Sequence, residues 1–491
     1  MKIRTGLLAV IAAYAASVGS AHAFGLMDAF MAARQFDPQY RAAWQTREAG
    51  LQEERIARAQ LLPQASFSYG YNRNWLTQNV ENPQTGQTQT NSNDNYPSYV
   101  GRIEVRQPVV NFQGWAGLRQ GQALSRMAEV EFDGRHQELM LRLYETYANT
   151  LLARDQLSIA QSQATALEEQ MRSNDLMFKA GEGTRTDMIE TRSRYDVARA
   201  QVIAAEDELG AALRELIGIV GPGQLTSVEQ LDQLVPKFSP SPAQLDSVEQ
   251  WVQLGRTSNA QVAAGRFNVQ AADANVDRSR AGHYPQLNLV AAHQRDEADS
   301  VSTINQRNRN SMIGVQLSVP IFSGGGVSAQ TSQAVANYQR AQAELDATSS
   351  GVEVELRRQY ALVQSNAAKI QALESAVESA TLLVEATQKS VAGGMRVNLD
   401  VLNAEERLFT ARRDLAQARY DYLNAFMQLR YYAGVLTVDD LQTVARYFAP
   451  PGTYGRDSAY SSNETEKIDM KAASRSPSAS VGRLPASARA R

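Results

Sequence analysis

Few residues of this chain could carry bond-making or bond-breaking chemistry. It has no cysteine, which removes disulfides, thiolate metal sites and cysteine nucleophiles in one step. Of its histidines, His22, His136, His283 and His293, none stand at metal-ligand spacing. Gly324-Gly325-Gly326 is followed by no Gly-Lys-Ser/Thr and is not a phosphate loop; it relaxes the backbone where a strand gives way to a helix. No nucleophile, acid–base pair or metal set converges in the pattern, so no enzyme, cofactor or metal is expected. The carboxylates that stand out are Asp187 and Asp400, each just beyond a glycine turn, Ala180-Gly181-Glu182-Gly183-Thr184 or Ala392-Gly393-Gly394. Read from position alone, each is a carboxylate near a helix N-terminus, where the dipole favours it.

The elements around those turns are unusual. No proline lies between Pro108 and Pro222 or between Pro320 and Pro450, and both gaps are rich in Ala, Leu, Gln, Glu and Arg. That is helix-forming composition without a breaker. With a glycine turn inside it, each gap reads as a helical hairpin, about 113–217 and about 325–432. The outgoing helix from Gln113 to Lys179 would run roughly 100 Å at 1.5 Å per residue, more than a compact globule accommodates. The returning helices carry heptad seams, Tyr195, Ala198, Val202, Ala205, Leu209, Ala212, Leu216 and Leu408, Ala411, Leu415, Ala418, Tyr422, Ala425, Leu429.

Four short strands precede the hairpins, at about 64–74, 98–107, 286–296 and 311–319. Phe67, Tyr69 and Tyr71 alternate with Ser66, Ser68 and Gly70, and Ile103 and Val105 with Arg102, Glu104 and Arg106. Leu287 and Leu289 flank Asn288, and Ile313, Val315 and Leu317 alternate with Gly314 and Gln316. Each strand is near the length that crosses a tilted barrel wall. The polar stretches Thr77 to Pro97 and Glu297 to Asn310 read as exposed loops. Taken alone, the strands read as two ordinary surface hairpins with one buried face; the signal peptide and the helices too long for a globule shift the balance.

The whole arrangement occurs twice. Leu26 to Asn74 aligns without a gap on Val248 to Asp296, matching Arg34 with Arg256, Arg58 with Arg280 and Pro63-Gln64 with Pro285-Gln286. Pro108 then falls on Pro320 and Gly181 on Gly393. So long a period is a duplicated module rather than a solenoid. The domains expected are a first structural repeat at 24–235 and a second at 236–449, joined by a linker marked by Pro222, Pro236, Pro240 and Pro242.

At the N-terminus, Lys2 and Arg4, an apolar run from Leu7 to Val18 and Ala21-His22-Ala23 read as a signal peptide over 1–23. The net charge of −3, or −5 without Lys2 and Arg4, offers no footprint for nucleic acid. No later apolar run is long enough for a membrane helix. The segment 450–491, rich in Ser, Ala, Arg and Pro, is predicted disordered.

In this order, Asp37-Pro38, Arg58-Ala59, Leu62-Pro63-Gln64, Val319-Pro320-Ile321-Phe322-Ser323-Gly324-Gly325, Gly183-Thr184-Arg185-Thr186-Asp187 and Asp400-Val401-Leu402-Asn403-Ala404 resemble the TolC family of outer-membrane efflux and secretion channels. The resemblance implies an α+β membrane protein, a homotrimer whose protomers give four strands each to a 12-stranded β-barrel. The barrel would be continuous with a long α-helical coiled-coil tunnel in the periplasm. An inner-membrane pump of ABC, RND or MFS type, with a periplasmic adaptor, would dock at the hairpin tips. Lacking an N-terminal cysteine, the chain is similar to the unlipidated branch. Phe67, Tyr69, Tyr71, Ile103, Val105, Leu287, Leu289, Ile313, Val315 and Leu317 would then face outer-membrane lipid. The resemblance also makes Asp187 and Arg396 constriction partners and Asp400 an acidic ring at the periplasmic gate. Two departures follow: Asn403 replaces the second ring aspartate, and Val391 replaces a tyrosine that helps close the tip. The function implied is export of proteins or small toxic compounds; the alternative is a periplasmic coiled-coil scaffold or adaptor without a barrel.

Overall fold

The structure, a computed structural model, describes residues 23–181, 183–236, 238, 240, 247–298, 306–450 and 453. The expected signal peptide, apart from Ala23, and almost all of the 450–491 tail lie outside the described residues. The chain opens with α1 (Leu26–Phe36), α2 (Pro38–Ala59), β1 (Gln64–Glu81), β2 (Thr88–Val110), α3 (Phe112–Ala180) and α4 (Arg185–Val220). A two-residue strand β3 (Gln233–Leu234) follows. Then come α5 (Val248–Ser258), α6 (Ala260–Arg280), β4 (Gln286–Ala298), β5 (Gln306–Ser318), α7 (Gly326–Ala392) and α8 (Asn398–Tyr432). The described chain finishes with α9 (Val438–Ala445) and β6 (Phe448–Ala449). The outgoing helices α3 and α7 have 69 and 67 residues, with no proline inside them and a glycine turn after each.

Two compact units are resolved, and each takes segments from both sequence halves. The first comprises residues 1–43, 133–259 and 350–491. It is helical, and its core gathers Leu143, Tyr144, Tyr147 and Leu151 of α3, Leu216 of α4, and Tyr422, Leu423 and Met427 of α8, all fully buried. Phe238 sets its ring 4.8 Å from that of Tyr447 at a tilt of 55°, beside the small antiparallel pairing of β3 with β6. The break between α1 and α2 is built by Asp37. Its Oδ1 accepts the Tyr40 amide at 2.7 Å as an N-cap ahead of Pro38, and its other oxygen accepts from Arg142 at 2.5 Å. At the matching break, the Asn259 amide donates to the Tyr432 carbonyl at 3.0 Å. Gly434, at φ 72°, lies so close to Ser258 that a Cβ would meet its carbonyl oxygen at 2.3 Å; only glycine fits. Seam positions of the returning helices are buried or half-buried, with Leu408, Leu415, Ala418, Tyr422, Ala425 and Leu429 fully inside.

The second unit comprises residues 44–132 and 260–349 and holds one antiparallel sheet, in the order β1-β2-β4-β5. Helices α2 and α3 approach closely beside it. A Cβ on Gly50 would sit 2.3 Å from that of Ala128, and one on Gly121 would sit 2.7 Å from that of Ala57. The first hairpin extends well beyond its expected ends. Most of the stretch read as a loop from Thr77 to Pro97 is strand, paired from Leu76↔Asn93 to Glu81↔Thr88 around a turn at Gly86. Polarity misleads there, because a run rich in Thr, Asn and Gln lacks the apolar alternation that marks a strand in sequence, while its backbone still pairs in a ladder. Likewise β4 and β5 run on to Ala298 and from Gln306, while 299–305 lie outside the described residues.

Candidate gate and membrane-facing sheet

Each hairpin tip in the helical unit is a glycine turn followed by a helix start. At the first, Gly181 takes φ 82° and its amide bonds the Phe178 carbonyl at 3.1 Å. Thr184 then caps α4, its Oγ1 accepting the Asp187 amide at 3.1 Å and donating to the Asp187 carboxylate at 2.5 Å. At the second tip, Gly394 at φ 70° leads to Val397, which offers no capping side chain, so Asp400 answers the start of α8 through the dipole alone.

Within one chain the structure does not bring the four expected gate residues together. Asp187 is engaged by Thr184; Arg396 is exposed, and neither it nor Asp400 makes a side-chain hydrogen bond or ion pair among the described residues. Asn403 is the exception. Its Oδ1 accepts from Arg194 Nη2 at 2.9 Å, and the same guanidinium donates to Glu406 at 3.0 Å and Glu190 at 3.4 Å. Arg194 thus ties α4 to α8.

A second tie lies closer to the tips and is shielded from water. Thr191, fully buried, donates to the Asp187 carbonyl at 2.8 Å and accepts from Asn174 at 2.8 Å and Asn398 at 3.2 Å. Its donor and both lone pairs are used. Gln170 donates to Asn398 at 2.7 Å, so α3, α4 and α8 meet in one polar knot. Leu167, Ala198 and Leu402 pack into a small apolar cluster nearby. Reading the sequence for charge overlooks this knot, whose members are all neutral. The available signal is polar residues at i and i+4, Gln170 and Asn174, on one face of α3. Close by, Glu405 of α8 is buried with Oε2 unpartnered, and burial raises its carboxyl above the usual range, a hydrogen bond from Gln388 opposing the shift.

The sheet in the other unit sorts its side chains by face. Phe67 pairs with Ile103, Ala65 with Val105, Leu289 with Val315 and Leu287 with Leu317, so all ten residues expected at lipid share one face. All but the half-buried Leu287 are exposed. The opposite face carries Ser66, Ser68 and Gly70, and Glu104 is bridged there by Arg102 at 2.5 Å and Arg106 at 3.2 Å. No helix among the described residues is long and apolar enough to cross a membrane.

An exposed apolar band on the sheet and helices of this length fit the outer-membrane export channel that comparison with known proteins shows. The chain belongs to the family described as Outer membrane efflux protein, whose model matches residues 31–222 and 251–435. It is 39% identical to the Proteases secretion protein PrtF of Dickeya chrysanthemi over 449 residues, 91% of this chain and 96% of that one. With the Alkaline protease secretion protein AprF of Pseudomonas aeruginosa it shares 39% over 438 residues, covering 89% and 90% of the two chains. Against the Outer membrane protein TolC of Escherichia coli identity is 26% over 441 residues, 87% of this chain and 85% of that one. The same fold is seen in the outer-membrane channel OprN (TM-score 0.72, 16% identity, 84% and 90% covered). It is seen again in VceC of Vibrio cholerae (TM-score 0.69, 18% identity, 83% and 96% covered).

Proposed function

We propose that three copies of this chain form an export channel, each lending its sheet to a 12-stranded barrel and its hairpins to a periplasmic tunnel. The observation that carries the reading is the sheet itself. β1 and β5 are bonded on one side only, and the face they share is apolar and exposed. An open strand edge cannot face lipid, so further strands must come from other copies. The ten apolar residues from Phe67 to Leu317 then form the lipid band. Secretion through an N-terminal signal over 1–23 would deliver the chain to the outer membrane.

The cargo we favour is a secreted polypeptide, because the two relatives at 39% identity are both named for protease secretion. Energy and selectivity would come from an inner-membrane pump and its adaptor, seated where Leu176, Met177, Met395 and Val397 leave apolar side chains exposed at the tips. The gate would be closed between chains by Asp187 with Arg396 and by a ring of Asp400. Three such carboxylates repel by roughly 1 to 3 kcal/mol per pair at intermediate dielectric and would draw multivalent cations. Within each chain the Arg194 and Thr191 ties would hold the two hairpins together.

The test is native mass and membrane fraction after expression with the leader in a double-membraned bacterium and extraction in mild detergent. A trimer from the outer membrane is expected. A soluble monomer or dimer in the periplasm would overturn the channel and favour the coiled-coil scaffold.

A further inference from the structure

The apolar face of the sheet ends in arginines. Along β4 and β5 the rows Leu287↔Leu317, Leu289↔Val315 and Ala291↔Ile313 give way to His293↔Ser311, whose side chains hydrogen-bond at 2.8 Å. Arg295↔Arg309 and Glu297↔Arg307 follow. All stand at alternate positions and therefore on one face. Gly101 of β2 lies beside Arg295 and Tyr99 beside Glu297, and β1 extends the same two rows with Tyr69 and Tyr71. Like charges directly opposite one another destabilise a strand pair. Here Arg295 faces Arg309, both exposed, and the carboxylate in these rows, Glu297, lies 2.8 Å from Arg307 and 3.8 Å from Arg295. Arg309 makes no side-chain hydrogen bond or ion pair among the described residues. Asp296 points to the other face, where it accepts from Asn308 at 2.9 Å. Three guanidiniums thus share one carboxylate.

We propose that this patch binds the phosphate-bearing headgroup of an outer-leaflet glycolipid, with Arg295 and Arg309 gripping one phosphate between them. This rests on the membrane channel proposed above and adds a specific lipid to it.

Depth, orientation and chemistry each favour that occupant. From Leu287↔Leu317 to Arg295↔Arg309 is eight residues. That is about 27 Å along the strands, or roughly 20 Å of depth at a tilt of about 40°. An apolar band is about 25 Å tall, so the arginines stand at headgroup level. All four strands join their helices at the Leu287 end, which the channel reading turns toward the periplasm, so the arginines meet the outer leaflet. A guanidinium matches a phosphate with two parallel hydrogen bonds and is weakly hydrated, so a phosphate between the two arginines replaces their repulsion with two charge-assisted contacts. Gly101 leaves the surface beside Arg295 open, and Tyr71 and Tyr99, with ring centroids 5.1 Å apart, border it as aromatic residues do at a membrane boundary.

The test uses the full chain extracted in mild detergent, stripped of lipid and loaded with lipid A bearing both its phosphates; native mass spectrometry counts the lipid retained. Wild type should hold it with or without EDTA, since guanidiniums and not a bridging cation grip the phosphate. Retention should fall roughly tenfold in the Arg295→Gln/Arg309→Gln double variant. Dephosphorylated lipid A and phosphatidylethanolamine should be held by wild type no better than the phosphorylated lipid is by that variant. Equal retention of phosphorylated and dephosphorylated lipid A by wild type overturns the site, a comparison that stands even where the double variant fails to assemble. Equal retention by wild type and an assembled double variant overturns it too. Loss of lipid in EDTA would move binding to a divalent cation on Glu297, and displacement by inorganic phosphate would make the patch a free-anion site; either overturns the lipid contact. All of these leave the channel standing, whereas a protein that is soluble and not trimeric overturns site and channel together.

Discussion

The Arg194 guanidinium donates to the Asn403 amide oxygen at 2.9 Å while lying 3.0 Å from Glu406, so one cation of α4 grips two residues of α8. A bond from a charged donor to a neutral amide contributes about 1 kcal/mol at a half-buried site, or roughly fivefold in the population of a released tip. Arg194→Ala should therefore raise resting single-channel conductance in a planar bilayer. Asn403→Asp should lower it, since a carboxylate turns a bond with one charged partner into an ion pair. Equal conductance in all three proteins would remove the pair from the gate.

Asp187 has two assignments that can be separated. Thr184→Ala removes the cap on α4, a loss of about 1 kcal/mol of helix stability, but leaves the Asp187 carboxylate in place. Asp187→Ala and Arg396→Ser remove the proposed contact between chains. Conductance should rise in the latter two, and thermal stability should fall with little change of conductance in Thr184→Ala. If Thr184→Ala matches Asp187→Ala in conductance, Asp187 serves the helix start and not the constriction.

Glu405 carries a pH dependence of definite sign. Burial raises its carboxyl, so the folded chain holds that proton more tightly than the unfolded one. The contribution is fully favourable below the ordinary glutamate value of 4.5 and is lost as pH rises through the elevated folded value. Glu405→Gln removes this loss. The variant should match wild type in thermal unfolding near pH 4 and exceed it at pH 8. A constant difference between the two proteins at both pH values would place the effect in packing instead.

On the sheet, Tyr69→Asp sets a carboxylate in the apolar band, whereas Ser68→Asp sets one on the opposite, polar face. If that face meets lipid as proposed, a charge there costs up to a few kcal/mol per protomer. Tyr69→Asp should leave the chain out of the membrane fraction and Ser68→Asp should assemble. Normal assembly of Tyr69→Asp would move that face away from lipid.

What could be read from sequence followed from periodicity and from breakers. Proline-free gaps bounded by glycine turns correspond to α3 with α4 and α7 with α8, because nothing else in such composition stops a helix. The face of Phe67, Tyr69 and Tyr71 was legible because alternate side chains must part. The length of β1 was not, since Trp75 and Leu76 put apolar residues at adjacent positions, the pairing shifts register there, and the residues that follow are mostly polar, so the alternation loses its contrast. The charged residues Asp187, Arg396 and Asp400 stand out in sequence, yet beyond the local Thr184–Asp187 cap the described side-chain contacts near the tips belong to Thr191, Asn174, Asn398 and Arg194. Neutral polar side chains at helix positions look like ordinary surface until the partner helix is in place. Asp37 offers the converse: its place before Pro38 marks a helix start, but its partner Arg142 lies 105 positions along the chain, where no local pattern reports it.

The two free edges of the sheet, β1 and β5, are unlike one another. An interface that joins one kind of edge to the other is directional, and in the proposed trimer closure after three copies is what keeps it from running on as a chain. A protomer with a sound β5 and a spoiled β1 would consequently act as a terminator, accepted at one side and offering nothing at the other. In a cell making such a variant and the normal protein in equal amounts, random mixing leaves about one ring in eight without a defective member. The allele would therefore be dominant.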